Sequence, residues 1–280
     1  MEARSPAPAL PSPPQCGHYE ILHRGAPAAL AGHVTSITCY RESVPGHFRQ
    51  IEPASLDIPL IIGFDGPFAI GIGHTPGPSD TVTSFASGLA PRNVVIDSFG
   101  SAHCLQINFT PLGAYRFFGL PMHELNSRLI APDDLLGPAF AELRQRLGEE
   151  ADWNRRADLA AAFVIQRLGK RPATASPAIA AAYAALVGSG GRLRVETLAR
   201  RLDVSRKHLA HRFSIEVGAN PKTVARIVRF NSALAKARAQ ASPDWADIAL
   251  ECGYADQAHL VREFRDFAGC SPVRAGQMLM

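Results

Sequence analysis

The sequence predicts a chain of the α+β class: an N-terminal β-barrel or sandwich with trailing helices, then an all-α region in which a long helix joins two helix-turn-helix units. Three observations predict it. From His18 to Phe109, short runs rich in Val, Ile, Phe and Thr are punctuated by Gly, Pro, Asp and Ser, the pattern of a many-stranded antiparallel domain. From Pro111 onward the apolar residues recur at helical spacing. Beyond residue 190 one helix-turn-helix layout is written twice, at an offset of 50 to 51 residues.

At 280 residues the chain has room for two domains, each with its own core. A hydrophobic content of 46% is that of a soluble globular protein. The five cysteines are odd in number and form no Cys-x-x-Cys pair, which fits reduced thiols and a cytoplasmic setting. No apolar run approaches the roughly 20 residues that span a bilayer, so no membrane partner is expected. Residues 1–17 hold Pro6, Pro8, Pro11, Pro13 and Pro14 and lack the basic start and apolar core of a signal peptide. They are read as a disordered tail.

Residues 18–170 form the front domain in this reading. Its expected strands are His33–Tyr40, Phe48–Glu52, Leu56–Phe64, Phe68–Ile72, Thr81–Phe85, Val94–Asp97 and His103–Phe109, with turns such as Asp65-Gly66-Pro67 and Pro76-Gly77-Pro78 between them. A short helix follows Pro111, a turn and a second short helix follow Leu120, and Asp133–Leu147 is expected to be one capped amphipathic helix. Arg155–Leu168 is a further helix, with Leu159, Phe163 and Leu168 toward the core. Residues 171–177 read as a linker, and residues 178–280 as the helical region.

The later unit, about residues 244–268, places Trp245, Ile248, Ala249 and Cys252 on one helical stripe. Gly253 ends that helix in the left-handed conformation, and Asp256 caps the next one. Leu260, Phe264 and Phe267 form the second stripe, closed by Gly269 and Pro272. In the earlier unit, about residues 194–217, the same roles fall to Leu198, Ala199, Leu202 and Val204, then to Leu209, Phe213, Gly218 and Pro221. Asp203 stands in for Gly253 and Ser205 for Asp256, so the chain carries an internal duplication. Pro221–Gln240 is expected to be the joining helix, with Lys222, Arg226, Arg229, Lys236 and Arg238 available to meet phosphates or solvent.

Stepping 100° per residue around each second helix turns Lys207, His211 and Ser214 outward, with Ala210 on the flank. In the later copy it turns Ala258, Arg262 and Arg265 outward, with Val261 on the flank and Gln257 in the first turn. Lys, Arg and Gln on such a face suit base edges in a major groove. A plain solvated helix face carries the same residue types, but two copies in register on one connecting helix point to a reader of DNA.

Residues 190–275 resemble the DNA-binding domain of the AraC/XylS family of bacterial transcription regulators. The resemblance rests on Ser205-Arg-Lys-His-Leu-Ala-His-Arg-Phe213, on the run from Asp247 to Phe264 through Gly253-Tyr-Ala-Asp-Gln-Ala-His-Leu, and on Gly269-Cys-Ser-Pro272. It implies base contacts at Arg206, Lys207, Ala210 and His211 and at Gln257, Ala258, Val261 and Arg262. The chain departs from the family at Lys236 and Ala237, where a leucine pair is usual, and in lacking an aromatic after Pro272. His211 stands where Arg is frequent. The front half resembles, more loosely, the cupin-like barrel-plus-helices domain that senses a small effector, pairs subunits, or does both in such regulators. That match rests on the strand spacing and the run Phe109–Pro121.

The resemblance implies double-stranded promoter DNA, RNA polymerase, a small effector and a second copy of the chain as partners. Activation is more usual than repression in that family. Charge agrees with the division: residues 190–280 hold 15 basic against 9 acidic side chains, a net of +6, while residues 1–189 hold 14 against 16, a net of −2.

The alternative is a barrel enzyme with an appended DNA-binding domain. His47, His74, His103 and Cys104 are possible ligands, but there is no His-x-His pair, and neighbours 103 and 104 on one strand point to opposite faces. Gly71-Ile-Gly73 precedes no helix and no Gly-x-Ser-x-Gly elbow occurs. No catalytic residue, cofactor or metal is therefore assigned. Arg49, Arg92, His103, Gln106 and Asn108 are polar residues in or beside strands, some of which line any internal pocket.

Overall fold

A computed structural model describes residues 18–170 and 175–279. The tail at 1–17 and most of the expected linker lie outside the described residues. In chain order the strands are β1 (His18–Gly25), β2 (Val34–Ser43), β3 (Phe48–Glu52), β4 (Ile58–Asp65), β5 (Phe68–Ile72), β6 (Thr81–Val82), β7 (Phe85–Ala86), β8 (Val94–Ser98) and β9 (His103–Phe109). They make two antiparallel sheets, ordered β1-β2-β9-β4-β7 and β3-β8-β5-β6. The sheets face each other as a sandwich and do not close into a barrel. The two-residue strands β6 and β7 sit at the ends of their sheets, too short to carry hydrogen bonding from one to the other.

Strand β1 was not among the expected strands. It is an edge strand whose side chains are mostly exposed or half-buried, and charged edges lack the apolar alternation that marks a strand in sequence.

Alternation along the first sheet sorts its side chains. Ile37 and Cys39 on β2, Ile58, Leu60 and Ile62 on β4, and Leu105, Ile107 and Phe109 on β9 face one way, into the main core. The helices α1 (Pro111–Phe118), α2 (Pro132–Leu136), α3 (Pro138–Glu149) and α4 (Trp153–Lys170) follow, and their buried residues join that core. The single helix expected over Asp133–Leu147 is broken at Gly137, which takes φ of 66°. Pro138 has no amide to donate and disfavours a helical residue before it, so it starts a new helix. Alanines 157, 160 and 161 and Val164 are the buried face of α4, while Leu159 and Phe163 pack at the rim.

The remaining helices are α5 (Pro177–Gly188), α6 (Val195–Arg201), α7 (Arg206–Glu216), α8 (Pro221–Arg238), α9 (Trp245–Glu251), α10 (Gln257–Ala268) and α11 (Pro272–Leu279). The main core continues without a break through Leu186, Leu198, Leu209, Phe213 and Val224. A second core joins Phe230 and Leu234 of α8 to Ile248, Leu260, Phe264 and Phe267, and takes in Ala54 from the loop after β3.

The other face of the first sheet looks across to the second sheet. Thr38, Tyr40 and Glu42 of β2 and Gln106 of β9 line the space between the sheets, opposite Phe48 and Gln50 of β3. Gln106 donates to Asn108 at 2.8 Å. Arg49 points away and binds Asp97 at 2.7 Å. His103 faces α4, where it accepts from buried Arg156 at 2.6 Å. Burial and that guanidinium hold the imidazole below its usual value. Its neighbour Cys104 lines the space between the sheets, its thiol pushed up to about 12 by burial.

Two predictions follow from this packing. Phe264 is fully buried against Phe230 and edge-on to Trp245. Phe264→Ala is expected to cost about 3–5 kcal/mol, measured by urea unfolding followed at tryptophan. The second concerns Glu52. Burial, with the charge of Asp57 added, pushes its carboxyl from an ordinary 4.5 up to about 7. Between those values the unfolded chain releases a proton that the folded chain keeps, so stability falls as pH rises. Glu52→Gln is expected to melt with wild type at pH near 4 and above it near pH 8, as a pH series of thermal melts will read.

Candidate nucleic-acid interface

Each unit is two helices around a left-handed turn. In the first, Asp203 adopts φ of 51° between α6 and α7, and the Ser205 hydroxyl accepts from the His208 amide at 3.1 Å. In the second, Gly253 adopts φ of 77° between α9 and α10, and the Asp256 carboxylate accepts from the His259 amide at 2.6 Å. Leu209 and Phe213 are buried under α7, as Leu260, Phe264 and Phe267 are under α10. The residues paired by the repeat therefore occupy matching places, and Pro221 and Pro272 each open the helix that follows.

The outward faces stand free of the body. Arg206, Lys207 and His211 are exposed on α7 with Ala210 half-buried beside them. Gln257, Ala258, Arg262 and Arg265 are exposed on α10 with Val261 half-buried. Arg206 pairs with Glu196 of α6 at 2.9 Å, both side chains being exposed, a contact that solvent screens and that yields readily. Among the described residues Lys207, Arg262 and Arg265 form no ion pair.

The basic residues of α8 divide differently. Arg226 binds Glu263 at 2.9 Å and Asp266 at 2.8 Å, and Arg229 binds Glu263 at 3.1 Å. Their guanidiniums also lie over the rings of Phe267 and Tyr254. Lys236 is held by Glu251 at 2.6 Å, which keeps its ammonium above the usual range. Arg238 is half-buried. Of the five side chains expected to meet phosphates or solvent, Lys222 alone is exposed and unpaired among the described residues. The sequence did hold a sign of this. Stepped at 100° per residue, Glu263 falls on the inward face of α10 among Leu260, Phe264 and Phe267, and a carboxylate there needs an internal cation.

Glu216 plays a similar part on α7, one turn later in the repeat, where α10 has Phe267. Fully buried, it takes an ion pair from Arg212 and accepts from the Ser176 amide at 2.7 Å, tying α7 to the start of α5. The front domain reaches both units. The Asn126 amide donates to the Gly218 carbonyl just after α7, and the Ala54 amide donates to the Phe267 carbonyl of α10 at 2.8 Å. Among the described residues no group of three or more His, Cys, Asp and Glu is placed to hold a metal, and no helix is long and apolar enough to cross a membrane.

Comparison with known proteins bears on this part of the chain most directly. Residues 198–277 match a family model described as a helix-turn-helix domain. No curated protein matches the chain. Among solved structures, the C-terminal domain of AraT, a response regulator from Geobacillus stearothermophilus, aligns at 23% identity over 39% of this chain and 90% of that one, with a TM-score of 0.36. ToxT from Vibrio cholerae aligns at 9% identity over 95% of this chain and 100% of that one, with a TM-score of 0.48. The AraC-like transcriptional activator CuxR aligns at 14% identity over 74% and 84%, with a TM-score of 0.29. The repeat geometry and the family match agree, and over residues 198–277 the chain carries a helix-turn-helix domain.

Proposed function

We propose that the chain is a sequence-specific transcription regulator that reads one asymmetric promoter site with two recognition helices, under the control of a small effector at the front domain. The duplicated unit is the observation that carries this reading. Two caps, two left-handed turns and two exposed basic faces recur on either side of one uninterrupted helix. That helix has 18 residues and so is roughly 27 Å long at 1.5 Å per residue. Successive major-groove faces on one side of B-DNA are about 34 Å apart, and both recognition helices are mounted on this one rod, α7 leading into its first turn and α10 packing on Arg226, Arg229 and Phe230.

In this reading Arg206, Lys207, Ala210 and His211 face the first groove, and Gln257, Ala258, Val261, Arg262 and Arg265 the second. Arg, Lys and Gln read base edges, while Ala and Val suit thymine methyls. Lys222 adds phosphate affinity. RNA polymerase and a second copy of the chain are the further partners the reading implies, and the cytoplasm is its setting.

The route of control runs through β3. Its side chains line the space between the sheets, and two residues beyond its end the Ala54 amide holds the last turn of α10. A ligand that moves β3 therefore pulls on the second recognition helix.

Arg262→Ala is expected to lower preference at a single base position by about 1–3 kcal/mol, read by selecting duplexes from random sequence and titrating them by anisotropy. A uniform loss across all sequences would make Arg262 a phosphate contact instead. Ala54→Pro removes the amide donor. It is expected to speed hydrogen exchange in the last turn of α10 and to leave exchange in α7 unchanged.

A further inference from the structure

We propose that the space between the two sheets is a binding site for a small organic cation, an ammonium or amidinium on a compact apolar body, with the Glu42 carboxylate as its anchor. The inference rests on the proposed effector role of the front domain and names the chemistry of its ligand.

The cavity is about 100 Å³, below the roughly 300–1,000 Å³ of most ligand pockets, so its occupant is small. Its walls carry two carboxylates, Glu42 and Glu52, and no Lys, Arg or His. Neither carboxylate has an ion-pair partner among the described residues. Glu42 is 4% exposed, and its Oε1 has no hydrogen-bond partner, whereas Oε2 accepts from the Tyr40 hydroxyl. Burial and the Glu42 carboxylate push the Tyr40 hydroxyl well above its usual range, so it stays a donor. A buried carboxylate oxygen left without a donor costs free energy, and a charged N–H donor in the cavity removes that cost. The buried Ser98 hydroxyl, also without a partner, offers a second acceptor.

The remaining walls suit the same ligand. Phe48, Phe68, Phe85 and Tyr19 put aromatic rings in the cavity wall, and an aromatic ring attracts a cation once water is excluded. An anionic ligand meets the opposite: two carboxylates and no compensating base.

The test uses the full chain and three probes with one body and different charge: benzylamine, benzyl alcohol and benzoate. At neutral pH benzylamine is expected to bind by calorimetry about tenfold or more tighter than benzyl alcohol, and benzoate is expected not to bind. Glu42→Gln, which keeps the acceptor for Tyr40 but removes the charge, is expected to weaken benzylamine about tenfold and to leave benzyl alcohol unchanged. Equal affinity for amine and alcohol, binding of benzoate, or no binding of benzylamine at millimolar concentration overturns the site. The three probes on the wild-type chain decide this even if Glu42→Gln fails to fold. Affinity for a selected duplex, measured in the same samples, separates the two readings. Amine binding that leaves DNA affinity unchanged supports the site and removes effector control. DNA binding without amine binding removes the site and leaves the reader.

Discussion

A single buried carboxylate sets how the second reading head sits on its support. Glu263 is 2% exposed on the inward face of α10, and Arg226 and Arg229 of α8 both reach it. Taking three charges out of water costs several kcal/mol per ion before their attraction offsets it. The network is therefore poor evidence for added stability. It is good evidence for register, because a shift of α10 along α8 by one residue would leave Glu263 buried without a cation. Glu216 does the same for α7 with different partners, Arg212 and the amide that opens α5. The two heads are copies of one layout, yet each is keyed to its own neighbour, so they cannot exchange places.

The linker arginines cannot serve twice. Arg226 and Arg229 hold α10, and their guanidiniums cover Phe267 and Tyr254. Their positive charge is spent inside the domain, and the net +6 of residues 190–280 overstates what faces a duplex. What remains outward is Arg206, Lys207, Arg262 and Arg265 on the two second helices, Lys222 on α8, and Arg192, Arg194, Arg200, Arg201 and Arg274 elsewhere in the helical region. The same rod also divides its apolar face between two cores, with Val224 and Val228 in one and Phe230 and Leu234 in the other. A bend in α8 would disturb both heads at once.

Most of the helical half was legible because its signals are local. A cap, a left-handed turn and an apolar stripe are each read within one helix length, and Asp203 and Gly253 took the positive φ that their positions in the repeat required. The strands with an apolar face were legible for the same reason. What was missed depends on partners far away in sequence. Strand β1 shows its order only through pairing with β2. The break at Gly137 needed the weight given to Pro138. The family match and the repeat bring out the outward residues of α7 and α10, but Tyr40, Glu42 and Glu52 went unremarked. Period two assigns alternate side chains to two faces and does not say which face a second sheet will cover.

That ambiguity has a physical consequence in the finished molecule. Both faces of the first sheet are buried, one by helices with apolar side chains and one by a sheet with polar residues at intervals. The helix-covered face carries the core that runs on into the first helix-turn-helix unit, and the sheet-covered face carries Glu42, with Glu52 on the second sheet lining the same space. Charge therefore separates the two tasks proposed for the chain. On the proposed reading a duplex is drawn to the basic faces of α7 and α10 and has nothing to gain from residues 1–189, of net −2. A small cation meets the reverse. On that proposal each ligand is sorted to its own end before any specific contact forms, and the loop from β3 through Ala54 is the short covalent path between the two ends.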